Sequence, residues 1–285
     1  MSPSFYAEPP EASREDLLRA YLQFLQARDG GTDPTRPYPE RERWLAKANA
    51  APVLHRRAVD AAAFQRSYLR FDPAAERDPA VLALLAFVKV NATEAYGVQA
   101  GARVLHRKPP QGLADSVLRT VAHEETYHTR ILLGATHQFG LSPPRGAWIP
   151  PLSIKLVIAS IVYSPEALRH PLVLASEIAG VFLFDWMMKK VDEVVKDEPA
   201  LRDSMEERLT EILIDELGHV AFNRMLVGRT GVSLGRMLSA SVASSLAGLC
   251  PELGVLGWTK STASALGGFD FQSLPEQVRQ RAFFA

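Results

Sequence analysis

Apolar residues recur along most of the chain at intervals of three and four positions, which is the period of a helix that buries one face. In the segment 199–228, for example, Leu209, Ile212, Leu213 and Leu217 follow this spacing. No clear run of alternating apolar and polar residues indicates a β-strand. The pattern therefore predicts an all-α protein.

Prolines separate long segments that contain almost no internal proline, as single long helices do. Four of these segments are long enough for helices of about 30–45 Å. They cover residues 79–107, 111–139, 171–196 and 199–228. Shorter helices are expected near 14–28, 40–49, 52–70 and 232–248. We predict one domain, with a four-helix bundle over 79–230 between an N-terminal helical extension, 1–78, and a C-terminal one, 231–285.

Charge and cysteine content argue against several classes of protein. Lys and Arg together number 32, as do Asp and Glu, so the chain has no basic excess with which to bind nucleic acid. Residues 1–78 hold twelve residues of each sign, and we expect this extension to pack with its charges in water. Cys250 is the single cysteine, which excludes an internal disulfide and fits a reducing, cytoplasmic environment.

The most apolar stretch of the chain, 171–188, contains two carboxylates. Glu177 and Asp185 make it shorter than the roughly 20 uncharged residues that a membrane span needs. We therefore expect a buried helix and no membrane partner. The two embedded carboxylates then require a reason.

Two of the long segments repeat one local pattern, an acidic residue followed by Glu-x-x-His. It reads EETYH at 124–128 and DELGH at 215–219. A Glu and a His three residues apart project from the same face of a helix, so each copy supplies half of a metal site. One copy alone means little, because charged helices produce it by chance.

The other two long segments each supply one glutamate in apolar surroundings. Glu94 precedes Glu125 by 31 residues and Glu177 precedes Glu216 by 39. Each interval corresponds to one helix, a turn and a second helix that runs in the opposite direction. Four antiparallel helices therefore bring six groups to a similar height, as in bundles that bind two metal ions. The predicted metal ligands, and catalytic residues, are Glu94, Glu125, His128, Glu177, Glu216 and His219.

Charge and ligand type also indicate metal. Four buried carboxylates without metal would each cost several kcal/mol or become protonated, whereas two divalent cations balance them. Carboxylate and imidazole ligands with no thiolate favour iron or manganese over a softer metal.

On these residues, the sequence resembles the ferritin-like di-iron carboxylate superfamily, and its pattern is similar to that of the arylamine N-oxygenase-like di-iron oxygenases. The resemblance covers 79–228 and consists of a Glu followed, a helix length later, by Asp/Glu-Glu-x-x-His, twice. It implies a ferritin-like four-helix bundle with two iron ions, or manganese, as cofactor and O2 as co-substrate. It further implies that Glu124 and Asp215 accept hydrogen bonds from the metal-binding histidines. We expect a crossed pairing, Asp215 with His128 and Glu124 with His219.

Gly97 and Gly180 each lie three residues after a single glutamate of the metal site. This match between the halves predicts open space beside the ligands for dioxygen or a substrate, with close helix packing as the alternative. We expect Phe184 and Ile212 to help wall a substrate pocket there.

The resemblance implies an O2-dependent oxygenase that hydroxylates carbon or oxygenates an amine nitrogen of a small organic substrate, as in natural-product biosynthesis. Electrons would come from a ferredoxin or a reductase. The N-oxygenases carry a further histidine ligand where this chain has Ile212, so both reactions stay open, as does a homodimer.

Three alternatives remain at this point. One is an acyl desaturase, and a second is an iron-storage or peroxide-scavenging protein. A third is a helical scaffold without metal, which the carboxylates in apolar segments disfavour. Of the 285 residues, 135 lie outside 79–228, more than a minimal storage protein needs and enough to close a substrate pocket.

Overall fold

The structure is a computed structural model that describes residues 4–8, 13–29, 38–72, 78–105, 112–145, 148 and 150–284. These residues contain eleven α-helices, three short 3-10 helices and no strand, so the prediction of an all-α protein is confirmed. In chain order the helices are α1 (Arg14–Asp29), α2 (Pro39–Asn49), α3 (Ala61–Leu69), α4 (Pro79–Leu105), α5 (Leu113–Ala135), α6 (Leu152–Tyr163), α7 (Glu166–Val194), α8 (Pro199–Leu249), α9 (Pro251–Val255), α10 (Lys260–Ser264) and α11 (Glu276–Arg281).

The four long predicted segments correspond to α4, α5, α7 and α8, with two differences. Helix α7 begins before Pro171, which lies inside it; the ring removes one backbone hydrogen bond without ending the helix. Helix α8 continues past the predicted end, but Gly228 has φ 62° and ψ −173° and kinks it there. Glycine adopts this positive φ without a steric penalty. The predicted helix near 232–248 is thus the second arm of α8.

The helix predicted near 52–70 is shorter than expected. It begins at Ala61, where the Asp60 carboxylate accepts hydrogen bonds from the backbone N–H groups of Ala62 and Ala63. Such a cap satisfies N–H groups that have no partner within the helix. Residues 30–37, between the helices predicted near 14–28 and 40–49, and the Pro109-Pro110 pair lie outside the described residues.

Helices α4 and α8 each contact both α5 and α7. The four therefore surround a common interior in the order α4, α5, α8, α7. Helices α7 and α8 line it with fully buried residues such as Leu174, Ile178, Leu213 and Leu217. Helix α1 packs on α5 and α8, α2 on α5, and α6 on α4 and α7, so helices from outside the four cover their surface.

Two helical stretches, Pro79–Gly101 and Ala167–Val194, are long and apolar enough to cross a membrane by length and composition. Their most apolar windows are 61% and 67% buried inside the protein, and core helices of soluble proteins pass the same test. The two stretches are therefore weak evidence for a membrane span. Each carries one glutamate of the predicted metal site, Glu94 or Glu177.

Candidate metal centre

The structure brings carboxylates and imidazoles from three helices to one point in the interior. Single ligand atoms of Glu125 on α5, Glu177 on α7, and Glu216 and His219 on α8 all lie within 4.8 Å of one another. That spacing allows one metal ion to contact all four groups. These residues form a buried carboxylate–histidine cluster capable of holding a metal ion.

His128 approaches the same cluster from α5. Its Nδ1 lies 3.4 Å from Oε2 of Glu125 and 3.3 Å from Oε1 of Glu216. The Nδ1 atom of His219 lies 3.1 Å from Oε1 of Glu125 and 3.6 Å from Oε2 of Glu216. Each of these two glutamates therefore turns one oxygen towards each histidine.

The two single glutamates lie at the sides of this arrangement. Oε2 of Glu177 is 3.9 Å from Nδ1 of His219. Glu94 reaches in from α4, and its Oε1 would be 3.9 Å from a Cβ atom built on Gly180 of α7. All six predicted ligands thus face one region, with Glu125 and Glu216 in the middle.

Five polar atoms of the cluster are buried without a hydrogen-bond partner. They are Glu94 Oε2, Glu125 Oε2, Glu216 Oε1, His128 Nδ1 and His219 Nδ1. Buried polar atoms in folded proteins are almost always paired, and each of these atoms is of a type that binds divalent metal. The residues present therefore fit a metal centre with carboxylate and imidazole ligands.

The outer nitrogen of each histidine has an acidic partner. Nε2 of His128 lies 2.9 Å from Oδ2 of Asp215, and Nε2 of His219 lies 3.1 Å from Oε2 of Glu124. These are the crossed pairs that the sequence resemblance implies. Such a partner orients the ring with Nδ1 towards the metal position and raises its basicity.

Two arginines from the N-terminal helices hold these acids. Arg41 of α2 donates to both oxygens of Asp215, at 2.6 and 2.8 Å, and to Oε1 of Glu124 at 2.7 Å. Arg28 of α1 donates to Oδ1 of Asp215 at 2.9 Å. The Arg41 guanidinium also lies over the rings of Tyr38 and Tyr127, 5.2 and 5.6 Å from their centroids.

The expectation that the charges of residues 1–78 lie in water is therefore wrong for these two arginines. Arg41 is buried, with 5% of its surface exposed, because α2 packs on α5 directly above the acids. No local pattern distinguishes Arg28 and Arg41 from their ten basic neighbours in the extension. The one signal available was the need of two buried acids for counter-charge.

Electrostatics differ between the ligands and their supports. Although burial of the Asp215 carboxyl acts in the opposite direction, Arg28 and Arg41 hold its pKa well below the usual range. Burial alone would lower the pKa of His128, but its acidic neighbours, Asp215 first, raise it well above the ordinary value. Burial raises the pKa of the Glu94 and Glu177 carboxyls well above theirs. The single glutamates thus favour the protonated state until a cation replaces the proton.

Helix α1 reaches the cluster through an aromatic ring that the sequence analysis did not single out. Tyr21 is fully buried, and its Oη would lie 2.5 Å from a Cβ atom on Gly218. Gly218 stands directly before His219 in the second motif, so its missing side chain is what lets α1 approach. Buried aromatic rings of this size were to be expected in the core, but this contact joins distant parts of the chain.

A cavity of about 400 Å³ adjoins the cluster. Its walls include the predicted ligands Glu94, Glu125, Glu177 and Glu216 together with many aliphatic side chains. The volume lies within the range of small-molecule sites, about 300–1,000 Å³. The cluster is therefore open on one side to a space that can hold an organic molecule.

Gly97 and Gly180 line this cavity as expected, whereas Phe184 and Ile212 are not among the described residues that line it. Both lie fully buried in the hydrophobic core. On α7 the lining ends with Leu183, directly before Phe184, so the cavity stops one residue short of that ring. Ile212 also offers only hydrocarbon where a further histidine ligand would stand.

Comparisons with protein-family models, with curated proteins and with solved structures give no match for this chain. What the cluster does must therefore be argued from its own geometry and chemistry.

Proposed function

We propose that this protein is a non-haem di-iron oxygenase with a ferritin-like bundle, which uses O2 to oxidise a small organic substrate. The observation that carries the proposal is the set of unpartnered, buried carboxylate and imidazole atoms that face one another. Six residues would hold the two ions: Glu94, Glu125, His128, Glu177, Glu216 and His219. Iron fits these ligands, and manganese is the competing ion.

Charge supports two ions rather than one. Glu124 and Asp215 are bound by Arg28 and Arg41, which also pair with Asp29 and Glu211, so this ion-pair network is counted separately from the ligands. The four ligand glutamates then leave a buried charge of −4, and two divalent cations cancel it. One cation would leave two buried carboxylates to be protonated.

The bound metal pair would supply the activation of O2, with electrons from a ferredoxin or reductase. The chain's own residues have three tasks. Asp215 and Glu124 keep the outer histidine nitrogens protonated, so that Nδ1 stays available as a ligand. Arg28 and Arg41 hold the pKa of Asp215 low, and Arg41 also fixes the position of Glu124 by a hydrogen bond. The aliphatic cavity beside Glu94, Glu125, Glu177 and Glu216 excludes water and holds the substrate next to the reacting centre.

The cavity supports an oxygenase over an iron-storage protein. A storage site has to pass iron on and needs no organic pocket, whereas here an apolar cavity of about 400 Å³ adjoins the ligands. All six ligand residues are also set among other side chains, with both histidines fully buried. Ions held in this way are suited to remain through a reaction cycle.

Metal content tests the proposal most directly. The protein purified from iron-replete cells should hold about two metal ions per chain, and His128→Ala and His219→Ala should each lower that number and abolish O2 consumption with reductant. His123→Ala is the matched control, because His123 lies on the same helix but is exposed. Full metal occupancy in both ligand variants would disprove the assignment.

An anaerobic titration with ferrous iron separates the two classes of function. Uptake should stop at about two ions per chain, and mixing with O2 should then consume O2 without forming a mineral. Continued uptake to tens of ions per chain would identify a storage protein instead.

A further inference from the structure

The cavity is elongated and runs from the ligands towards one end of the four helices. Its lining includes Gly101 on α4, Arg119 on α5 and Arg169 on α7. These residues stand seven, six and eight positions from the ligand glutamate of their own helix. At 1.5 Å per residue they lie about 9–12 Å along the helices from the ligand level.

The walls of the cavity are mainly aliphatic. Five helices contribute to them, with Val98 from α4, Leu118 from α5, Ile158 from α6, Val173 from α7 and Leu226 from α8. An extended hydrocarbon chain would replace water along this surface, which the hydrophobic effect favours.

Charged groups occur at both ends of the cavity and have opposite sign. At the ligand end are the four glutamates. Among the described lining residues, the other charged side chains are Arg119 and Arg169, with His170 beside the second. Both arginines are half-buried. Guanidinium groups are well suited to bind carboxylates and disfavour a ligand cation.

The cavity opens to solvent beside an apolar surface. Val157 of α6 lines it and is also 52% exposed. The same helix exposes Leu152, Leu156 and Tyr163 by 72%, 62% and 77%. An aliphatic molecule can therefore approach along α6 without crossing a polar rim.

We propose that the cavity binds an elongated aliphatic molecule with one anionic group, of which a medium-chain carboxylate is the simplest case. Arg119 and Arg169 bind the anion, and the aliphatic walls direct the chain towards the glutamates. Because Arg119 and Arg169 stand about 9–12 Å along the helices from the ligand level, the far part of the chain then lies beside the ligand cluster. This inference rests on the proposed function only for what happens to that part of the chain; binding itself requires no metal.

Calorimetric titration with decanoate, decanol and decylamine tests the proposal, using metal-free protein and protein loaded with manganese. Decanoate should bind at least about tenfold more tightly than decanol in both forms. Decylamine should bind most weakly to the manganese-loaded protein, in which the metal ions occupy the glutamates that would otherwise attract its ammonium group. Arg119→Gln and Arg169→Gln should each weaken decanoate binding about tenfold and leave decanol unchanged. Arg19→Gln, on the exposed face of α1, is the matched control.

A second variant blocks the space instead of the charge. Nothing lies within 4 Å of a Cβ atom on Gly101, so the side chain of Gly101→Leu should extend into the cavity and weaken decanoate and decanol alike. Circular dichroism should show unchanged helix content in every variant.

The outcomes separate this inference from the proposed function. Equal affinity for the three ligands, or decanoate binding that neither arginine variant weakens, would overturn the inference and point to adsorption on the exposed face of α6. A protein that binds about two metal ions but no decanoate would also overturn it while leaving the oxygenase proposal intact. Selective decanoate binding by a protein that holds no metal would support the inference and contradict the proposed function.

Discussion

The two Glu-x-x-His motifs supply the same ligands, but their surroundings differ. The acid of the α8 motif, Asp215, accepts hydrogen bonds from both Arg28 and Arg41, whereas Glu124 of the α5 motif accepts one from Arg41. Each acid holds the histidine of the other motif. Helices α1 and α2 therefore hold the acidic partner of His128 with two arginines and the acidic partner of His219 with one.

The position before each histidine shows the same contrast. In α5 it is Tyr127, which is buried and donates a hydrogen bond to the backbone oxygen of Arg41. In α8 it is Gly218, and the space is filled by Tyr21 from α1. One motif carries its own aromatic ring, and the other receives one from a distant helix. A repeat in sequence therefore does not produce a repeat in packing.

Removing the arginine that both halves share should have the largest effect. Arg41→Met removes a guanidinium that pairs with three buried carboxylates, Asp29, Glu124 and Asp215, and we expect it to lower the free energy of unfolding by about 3–5 kcal/mol. Urea denaturation measures this loss. Arg43→Met on the same helix is the control, because that side chain is 70% exposed and should change stability by no more than about 0.5 kcal/mol. Similar midpoints for the two variants would show that the Arg41 ion pairs contribute little.

The unequal support of the two acids predicts unequal consequences for metal binding. Asp215→Asn and Glu124→Gln should each reduce metal affinity by about 10–100-fold, because each removes the negative acceptor of a histidine N–H. The loss should be larger for Asp215→Asn, which also deprives two arginines of their carboxylate. Competition with a chelator measures both constants. Equal losses of metal affinity would show that the second arginine on Asp215 does not strengthen metal binding.

The glycines of the site should respond in opposite directions. The new methyl group of Gly218→Ala would lie 2.5–2.9 Å from atoms of Tyr21, so α1 has to move, at a cost of about 1–3 kcal/mol. Gly97→Ala meets nothing within 4 Å and should stabilise its helix by about 0.5–1 kcal/mol. Thermal unfolding distinguishes the two. A neutral Gly218→Ala would show that Tyr21 moves aside easily.

The smallest effect concerns pH and is shared by the two halves. Since burial raises the pKa of Glu94 and Glu177 above the ordinary 4.5, their contribution to the stability of the metal-free protein is present at low pH and is lost as pH rises through the raised values. Metal has to displace these protons, so metal affinity should rise with pH. Unfolding temperatures between about pH 5 and 8, with and without manganese, should diverge as pH increases. If the unfolding temperatures with and without manganese change in parallel with pH, Glu94 and Glu177 are not protonated in the metal-free protein.

The helical fold and the convergence of the six ligands were accessible from sequence for a local reason. The helical period of apolar residues and the positions of the prolines gave the approximate bounds of the long helices. The three-residue spacing in each Glu-x-x-His motif put its Glu and His on one face of a helix. Gaps of 31 and 39 residues then brought Glu94 and Glu177 to the level of the motifs. Where local signals were ambiguous, as at Pro171 and at 52–60, the predicted helix ends were wrong.

The tertiary structure alone decided what surrounds those ligands. Arg41 and Asp215 are 174 positions apart, and no periodicity links residues at such a distance. Tyr21 meets Gly218 only because α1 packs on α8, and the direction of the cavity depends on which helix ends meet. The sequence by itself determined which groups can bind metal, since that is a property of residue type and helical spacing. The support of each histidine and the shape of the adjoining cavity depend on packing between distant segments, which only the folded chain specifies.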